Sequence, residues 1–372
     1  MEIVIFILVI VALIVVHEFG HFVVAKLSRM RVDEFGLGYP PRALTIGKVG
    51  ETEYTLNWLP FGGFVKIYGE DDVRAPGSRA FASKPRILQA LVLVAGVAMN
   101  LLFAYMLITG ALVAGTPRAL APGEIAEAKD VALAVSGVLP GSPAELAGLV
   151  PGDTILSAKD ATSDWRQGGP SAGSEEVSPE SFTAFVSGNG GRPIELTVKH
   201  NEHEEVVTAT PVAGLISRDP GRYALGVEVA TVGVVPLSLP RAIVEGARLT
   251  WGATTLTALG LWHFFFSILT LHADLSQVSG PVGIAGVVGG ASSAGFGNLL
   301  SIMAIISINL ALINLLPIPA LDGGRLLFVL IEGLIRRPIK VAVTRALNTA
   351  SFALLIFLML VVTLHDIYRI AS

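Results

Sequence analysis

The chain has 372 residues, 52% of them hydrophobic and only 15% charged, where a soluble domain carries about 25% charged residues. With a mean hydropathy of +0.66, the bilayer comes first among candidate environments. A net charge of −4 with no basic stripe argues against a nucleic-acid partner, and the absence of cysteine excludes disulfides, thiolate zinc sites and cysteine nucleophiles.

Taken in order, residues 3–25 are apolar except for His17, Glu18 and His21. That is enough to span a hydrocarbon core of about 30 Å. With no positive n-region before it and no small-residue cleavage site after it, the stretch reads as a retained span, not a removed signal peptide. The loop 26–86 carries ten Lys and Arg residues. Within it, residues 42–68 alternate in strand fashion (Leu44, Ile46, then Tyr54, Leu56, Trp58) about a turn at 48–51, which predicts a membrane-associated β-hairpin leading into Gly62, Gly63 and Phe64. Residues 87–113 form an uncharged second span and complete a first membrane portion, 1–115.

Residues 122–232 are soluble in character, with Gly, Pro and Ser turns between short β-type runs such as 194–198 and 224–229. This is the size of one domain. The run 160–179 reads as a loop insertion. Residues 236–275 are expected to form an amphipathic helix, with 250–271 either interfacial or partly embedded, and the Gly- and Ser-rich run 286–297 a flexible connector. A second membrane portion, 298–372, holds a third span at 299–320 and a fourth at 346–364, bounded by Arg345 and Asp366. The link between these two carries Arg325, Arg336, Arg337, Lys340 and Arg345. By the positive-inside rule this link and the loop 26–86 face the cytoplasm, and the termini and the central domain lie outside.

The chemistry is concentrated in His17-Glu18-Phe19-Gly20-His21. On a helix, residues i and i+4 share a face, so two imidazoles can converge on one zinc ion, with Glu18 about 100° round the axis and placed to act as a base toward water. Ionisable groups at membrane depth mark function by default. A catalytic zinc takes a third protein ligand, and the best candidate is Asp322, the only acid in or beside the third span, just after Pro317 and Pro319 break the helix. Both sites then lie at one depth near the cytoplasmic face. Asn314 is a candidate for substrate or oxyanion contact, and Asn309 a weaker one that could equally bond between helices.

The HEFGH motif, together with Asn309-Leu-Ala-Leu-Ile-Asn314-Leu-Leu-Pro-Ile-Pro-Ala-Leu-Asp322-Gly-Gly, resembles the site-2 protease family of intramembrane metalloproteases. Ser279-Gly-Pro-Val-Gly-Ile284 and Phe61-Gly-Gly-Phe-Val-Lys66 are similar to further family motifs. The family's Gly-Pro-x-x-Asn motif reads Gly96-Val-Ala-Met-Asn100 here, without its proline. The resemblance implies a polytopic α-helical membrane protein of four transmembrane helices in a bacterial inner membrane, with His17, His21 and Asp322 as Zn2+ ligands and Glu18 as catalytic base. It implies regulated intramembrane proteolysis of single-span membrane proteins, such as anti-sigma factors or remnant signal peptides. Val138-Leu-Pro-Gly-Ser-Pro-Ala-Glu-Leu-Ala-Gly-Leu-Val-Pro-Gly-Asp153 resembles a circularly permuted PDZ domain, which would bind an extended peptide or C-terminus outside the cytoplasm. The hairpin, with Gly62, Gly63 and Phe64, would offer an edge strand to an unwound substrate. A non-catalytic membrane scaffold holding envelope peptides is the alternative, which an intact Glu18 argues against.

Overall fold

The computed structural model describes residues 2–70, 77–121, 123–125, 128–160, 163–166, 178–200, 203–215, 219, 221–270, 280–293, 295–337 and 339–371. They form two compact units, one of residues 1–113 with 238–372 and the other of residues 114–237.

Among the described residues, the first unit contains four helices long and apolar enough to cross a membrane. These are α1 (Glu2–Leu27), α2 (Arg86–Ala114), α7 (Phe296–Leu315) and α9 (Val341–Ala371). The chain is thus built as an integral membrane protein. At 1.5 Å per residue the 26 residues of α1 extend about 39 Å. The described residues of this unit also include the helices α5 (Leu239–Leu269), α6 (Pro281–Ser293) and α8 (Asp322–Ile335). Val9 and Leu13 of α1 pack on Val288 of α6, and Leu107 of α2 on Ala304 and Ile308 of α7.

Three expectations need correction. The run 286–297 is not a connector over most of its length, because α6 runs through its glycines to Ser293. Gly289 and Ala291 are buried there, and small residues let membrane helices approach closely. The break comes at Gly295, whose φ of 115° leaves the helical region. The third span is shorter than 299–320. Leu316, which precedes a proline, is forced to an extended ψ of 144°, so α7 stops at Leu315. The link after it, expected as a short charged connection, contains a 14-residue helix, α8, that begins at Asp322.

The predicted interfacial segment is one continuous helix, α5, from Leu239 to Leu269, with 271–275 outside the described residues. It lies along α2, where Gly246 leaves room for Thr109 and the Tyr105 hydroxyl donates to the Ile243 carbonyl at 3.2 Å.

The predicted hairpin is larger than 42–68. Strand β1 (Val32–Val49) pairs with β2 (Thr52–Ile67) about a turn at Gly50 and Glu51. Residues 34–37 pair on one side with 53–56 and on the other with 63–66, so two long bent strands make a curled sheet. The stretch 32–41 escaped the alternation rule because Gly36 and Gly38 interrupt it, and Gly36 is where the Phe64 ring packs. Beyond 63–66 no further strand is paired among the described residues.

The second unit is built on a seven-stranded sheet. Its strands are β3 (Pro117–Ala119), β4 (Lys129–Val138), β5 (Thr154–Lys159), β6 (Asp164–Arg166), β7 (Ile194–His200), β8 (His203–Ala209) and β9 (Val227–Val234). The order is β3-β9-β4-β5-β7-β8, with β6 on β5. Two short helices, α3 (Pro143–Leu146) and α4 (Pro179–Gly188), start at serine caps, Ser142 and Ser178, with proline in the first turn. The core gathers Leu133, Ile155, Leu196, Phe182 and Leu225. His200 holds Asp153 at 2.6 Å beside the Pro-Gly-Asp turn. Of the insertion expected at 160–179, residues 161–162 and 167–177 lie outside the described residues, and 164–166 form β6.

Candidate metal centre

The helical spacing of His17 and His21 puts both imidazoles on one buried face of α1, with their Nε2 atoms 3.2 Å apart. The rings stand edge to face at 78°. Asp322 Oδ2 closes a triangle, 2.9 Å from His17 Nε2 and 3.2 Å from His21 Nε2, across a sequence separation of 305 residues. Zinc–nitrogen bonds of about 2.05 Å in a tetrahedral set place ligand atoms about 3.3 Å apart. Two imidazole nitrogens and one carboxylate oxygen at these separations therefore suit a zinc ion with one position left open.

Each side chain has a local reason for its place. Asp322 is the first residue of α8, where a carboxylate is favoured by the helix dipole. It is brought back toward α1 because the chain folds tightly between α7 and α8. A Cβ at Gly323 would run into the carbonyls of Leu315 and Leu316, and one at Gly324 into that of Ile318. Only Gly-Gly after the aspartate permits that return. At the crossing of α1 and α2, a Cβ at Gly20 would stand 2.8 Å from Met99 Cβ and collide with the Ala95 carbonyl. Across the same crossing, a Cβ at Gly96 would lie 2.7 Å from His17 Cε1 and 2.8 Å from its Nε2. Two glycines thus let the helices meet at the imidazole pair. From α2 the Val92 carbonyl accepts a hydrogen bond from His21 Nδ1 at 2.8 Å.

A cavity of about 510 Å³ opens beside the triangle. His17, His21, Asp322, Glu18, Asn314, Gly62, Gly63 and Phe64 all line it. Gly63 sits against Glu18, since a Cβ there would lie 3.4 Å from Glu18 Cγ. Asn309 is half-buried on α7 and is not part of the lining. The wall also holds polar residues not singled out from the sequence, Tyr39, Glu70 and Arg325, the last two paired at 2.8 Å. Arg325 stands three residues after Asp322, a proximity that could have flagged it.

The model of Peptidase family M50 matches residues 5–358. A Clostridium perfringens protein named "Putative zinc metalloprotease CPE1693" is 37% identical over 361 residues, covering 96% of this chain and 95% of that protein. A Clostridium acetobutylicum protein, "Putative zinc metalloprotease CA_C1796", is 32% identical, covering 98% of this chain and 97% of its own. The Oceanobacillus iheyensis "Zinc metalloprotease RasP" is 28% identical, covering 98% of each chain.

Proposed function

The chain belongs to peptidase family M50, the site-2 protease family of membrane zinc metalloproteases, and from that premise we propose that His17, His21 and Asp322 are its zinc ligands and Glu18 its catalytic base. The observation that carries this reading is the convergence of three donors from α1 and the start of α8 beside a cavity that Glu18 also lines. A zinc ion held by these three residues would supply Lewis acidity toward water and the scissile carbonyl. Glu18 takes the water proton and returns it to the leaving amine. Asn314, on the same cavity, is placed to hydrogen-bond the substrate's main chain or the developing oxyanion. For Asn309, which is not among the residues lining that cavity, hydrogen bonding between helices is the reading we keep.

The substrate is a transmembrane segment of a single-span protein, an anti-sigma-factor-like protein or a remnant signal peptide. A helix hides its peptide bonds, so such a segment must unwind before cleavage. The edge at 63–66, which pairs with no further strand among the described residues and lies beside Glu18, supports strand addition there, with Gly62, Gly63 and Phe64 at the contact. The second unit is a PDZ domain outside the cytoplasm. Its order of strand β4, short helix α3 and strand β5 supports that assignment, and a peptide or C-terminus is its ligand. The cation-rich segments 26–86 and 321–345 support placing the sheet and the metal centre toward the cytoplasmic side of a bacterial inner membrane.

The test is cleavage of a single-span model substrate by the purified protein in proteoliposomes. Wild type should cleave and hold one zinc per chain. Glu18→Gln should hold zinc without cleaving, and Asp322→Ala should lose zinc. Cleavage by Glu18→Gln would refute the mechanism.

A further inference from the structure

The orientation of both imidazoles is set from α2. Val92, Gly96 and Asn100 are spaced four apart and so share one face of that helix. Val92 serves His21 through its main-chain carbonyl. Gly96 leaves the room both rings occupy. Asn100 is fully buried, and its side-chain amide nitrogen lies 3.2 Å from His17 Nδ1. Its amide oxygen is also buried and has no hydrogen-bond partner among the described residues. The Asn100 main-chain carbonyl is engaged separately, accepting from Ser307 Oγ of α7 at 2.8 Å.

An imidazole that offers its Nε2 lone pair to a metal carries its hydrogen on Nδ1, and that N–H needs an acceptor. At His17 the group in reach is the Asn100 amide. A half-turn of the amide exchanges its oxygen and nitrogen and brings the orphaned oxygen onto Nδ1. We propose that Asn100 is a positioning residue whose Oδ1 accepts the Nδ1–H of His17, fixing the tautomer and ring plane with which His17 binds zinc. This rests on the ligand set proposed above. His21 has the same support from a main-chain carbonyl, which no substitution removes. His17 is therefore the ligand whose tautomer depends on a side chain.

The experiment uses the full-length protein in detergent micelles, as wild type and as Asn100→Leu, Asn100→Ala, Asn100→Asp and His17→Ala. Zinc affinity is read by chelator competition, and ligand geometry by the visible spectrum of the cobalt-substituted protein. Loss of an outer partner of a metal-binding histidine weakens metal affinity by about 10- to 100-fold, and that loss is expected for Asn100→Leu and Asn100→Ala, with a changed cobalt spectrum. Asn100→Asp keeps an acceptor and should stay close to wild type in both readouts. After chelation, Asn100→Leu should melt with wild type, which separates positioning from folding, and Asn100→Ala serves if the leucine variant does not accumulate. Wild-type affinity and spectrum in both acceptor-free variants would overturn the proposal, as would equal losses in Asn100→Asp. A wild type without one zinc, or a His17→Ala protein that holds it as tightly, would instead overturn the ligand set itself.

Discussion

Replacing Gly96 with alanine adds one methyl group at the crossing of α1 and α2, 2.7 Å from His17 Cε1 and 2.8 Å from its Nε2, and closer still to His21 Nε2. Ordinary contact between such atoms begins near about 3.5 Å, so the rings must move. Overpacking of this kind costs about 1–3 kcal/mol. Against it stands the helix preference for alanine over glycine, about 1 kcal/mol, which acts with or without metal. In the chelated protein a ring can turn aside for no more than its hydrogen bond to Val92 or Asn100. In the zinc-loaded protein they are held in place, so the strain falls on the loaded form. At about 1.4 kcal/mol per factor of ten, zinc affinity should fall by about 5- to 150-fold. The chelated variant should melt at or above the chelated wild type. Chelator competition and thermal melting of the same preparation give both numbers. Wild-type zinc affinity in Gly96→Ala would refute the claim that this glycine makes room for the ligands.

Glu18→Gln should lower the cleavage rate by at least about 10²- to 10⁴-fold, the usual contribution of a positioned base, with zinc content unchanged by elemental analysis. Leu196→Ala opens a cavity in the core of the second unit, where Leu196 is fully buried. Such truncations cost about 2–5 kcal/mol, and limited proteolysis should show cuts within 114–237 at lower denaturant than in wild type. Gly324→Ala should prevent the tight return that delivers Asp322, and the protein should lose zinc much as Asp322→Ala does. Because the chain has no cysteine, single cysteines at Lys48→Cys and Glu204→Cys can be labelled from either side of sealed vesicles. Labelling of both from the same side would refute the proposed orientation.

Four apolar spans and the donor groups of the candidate site were legible in the sequence. Composition and long apolar runs fix a membrane helix because lipid satisfies no backbone polar group. The spacing of His17 and His21 fixes a shared face because a helix turns about 100° per residue. The tandem of Pro317 and Pro319 marks the break before Asp322 because a proline restricts the residue before it. Other features were decided only by the tertiary structure. That Asp322 stands 2.9 Å from His17 depends on a return between α7 and α8 that only Gly323 and Gly324 permit, and on a helix crossing opened by Gly20 and Gly96. The glycines of α6 read locally as a connector, since glycine disfavours helix by itself, but tertiary packing overrode that preference. Gly36 and Gly38 likewise hid the first part of β1, whose pairing with two separated segments of β2 is a long-range choice. Asn100, polar in an apolar helix, was visible in the sequence, but its partner was not, because that partner is the ring of His17, 83 positions away.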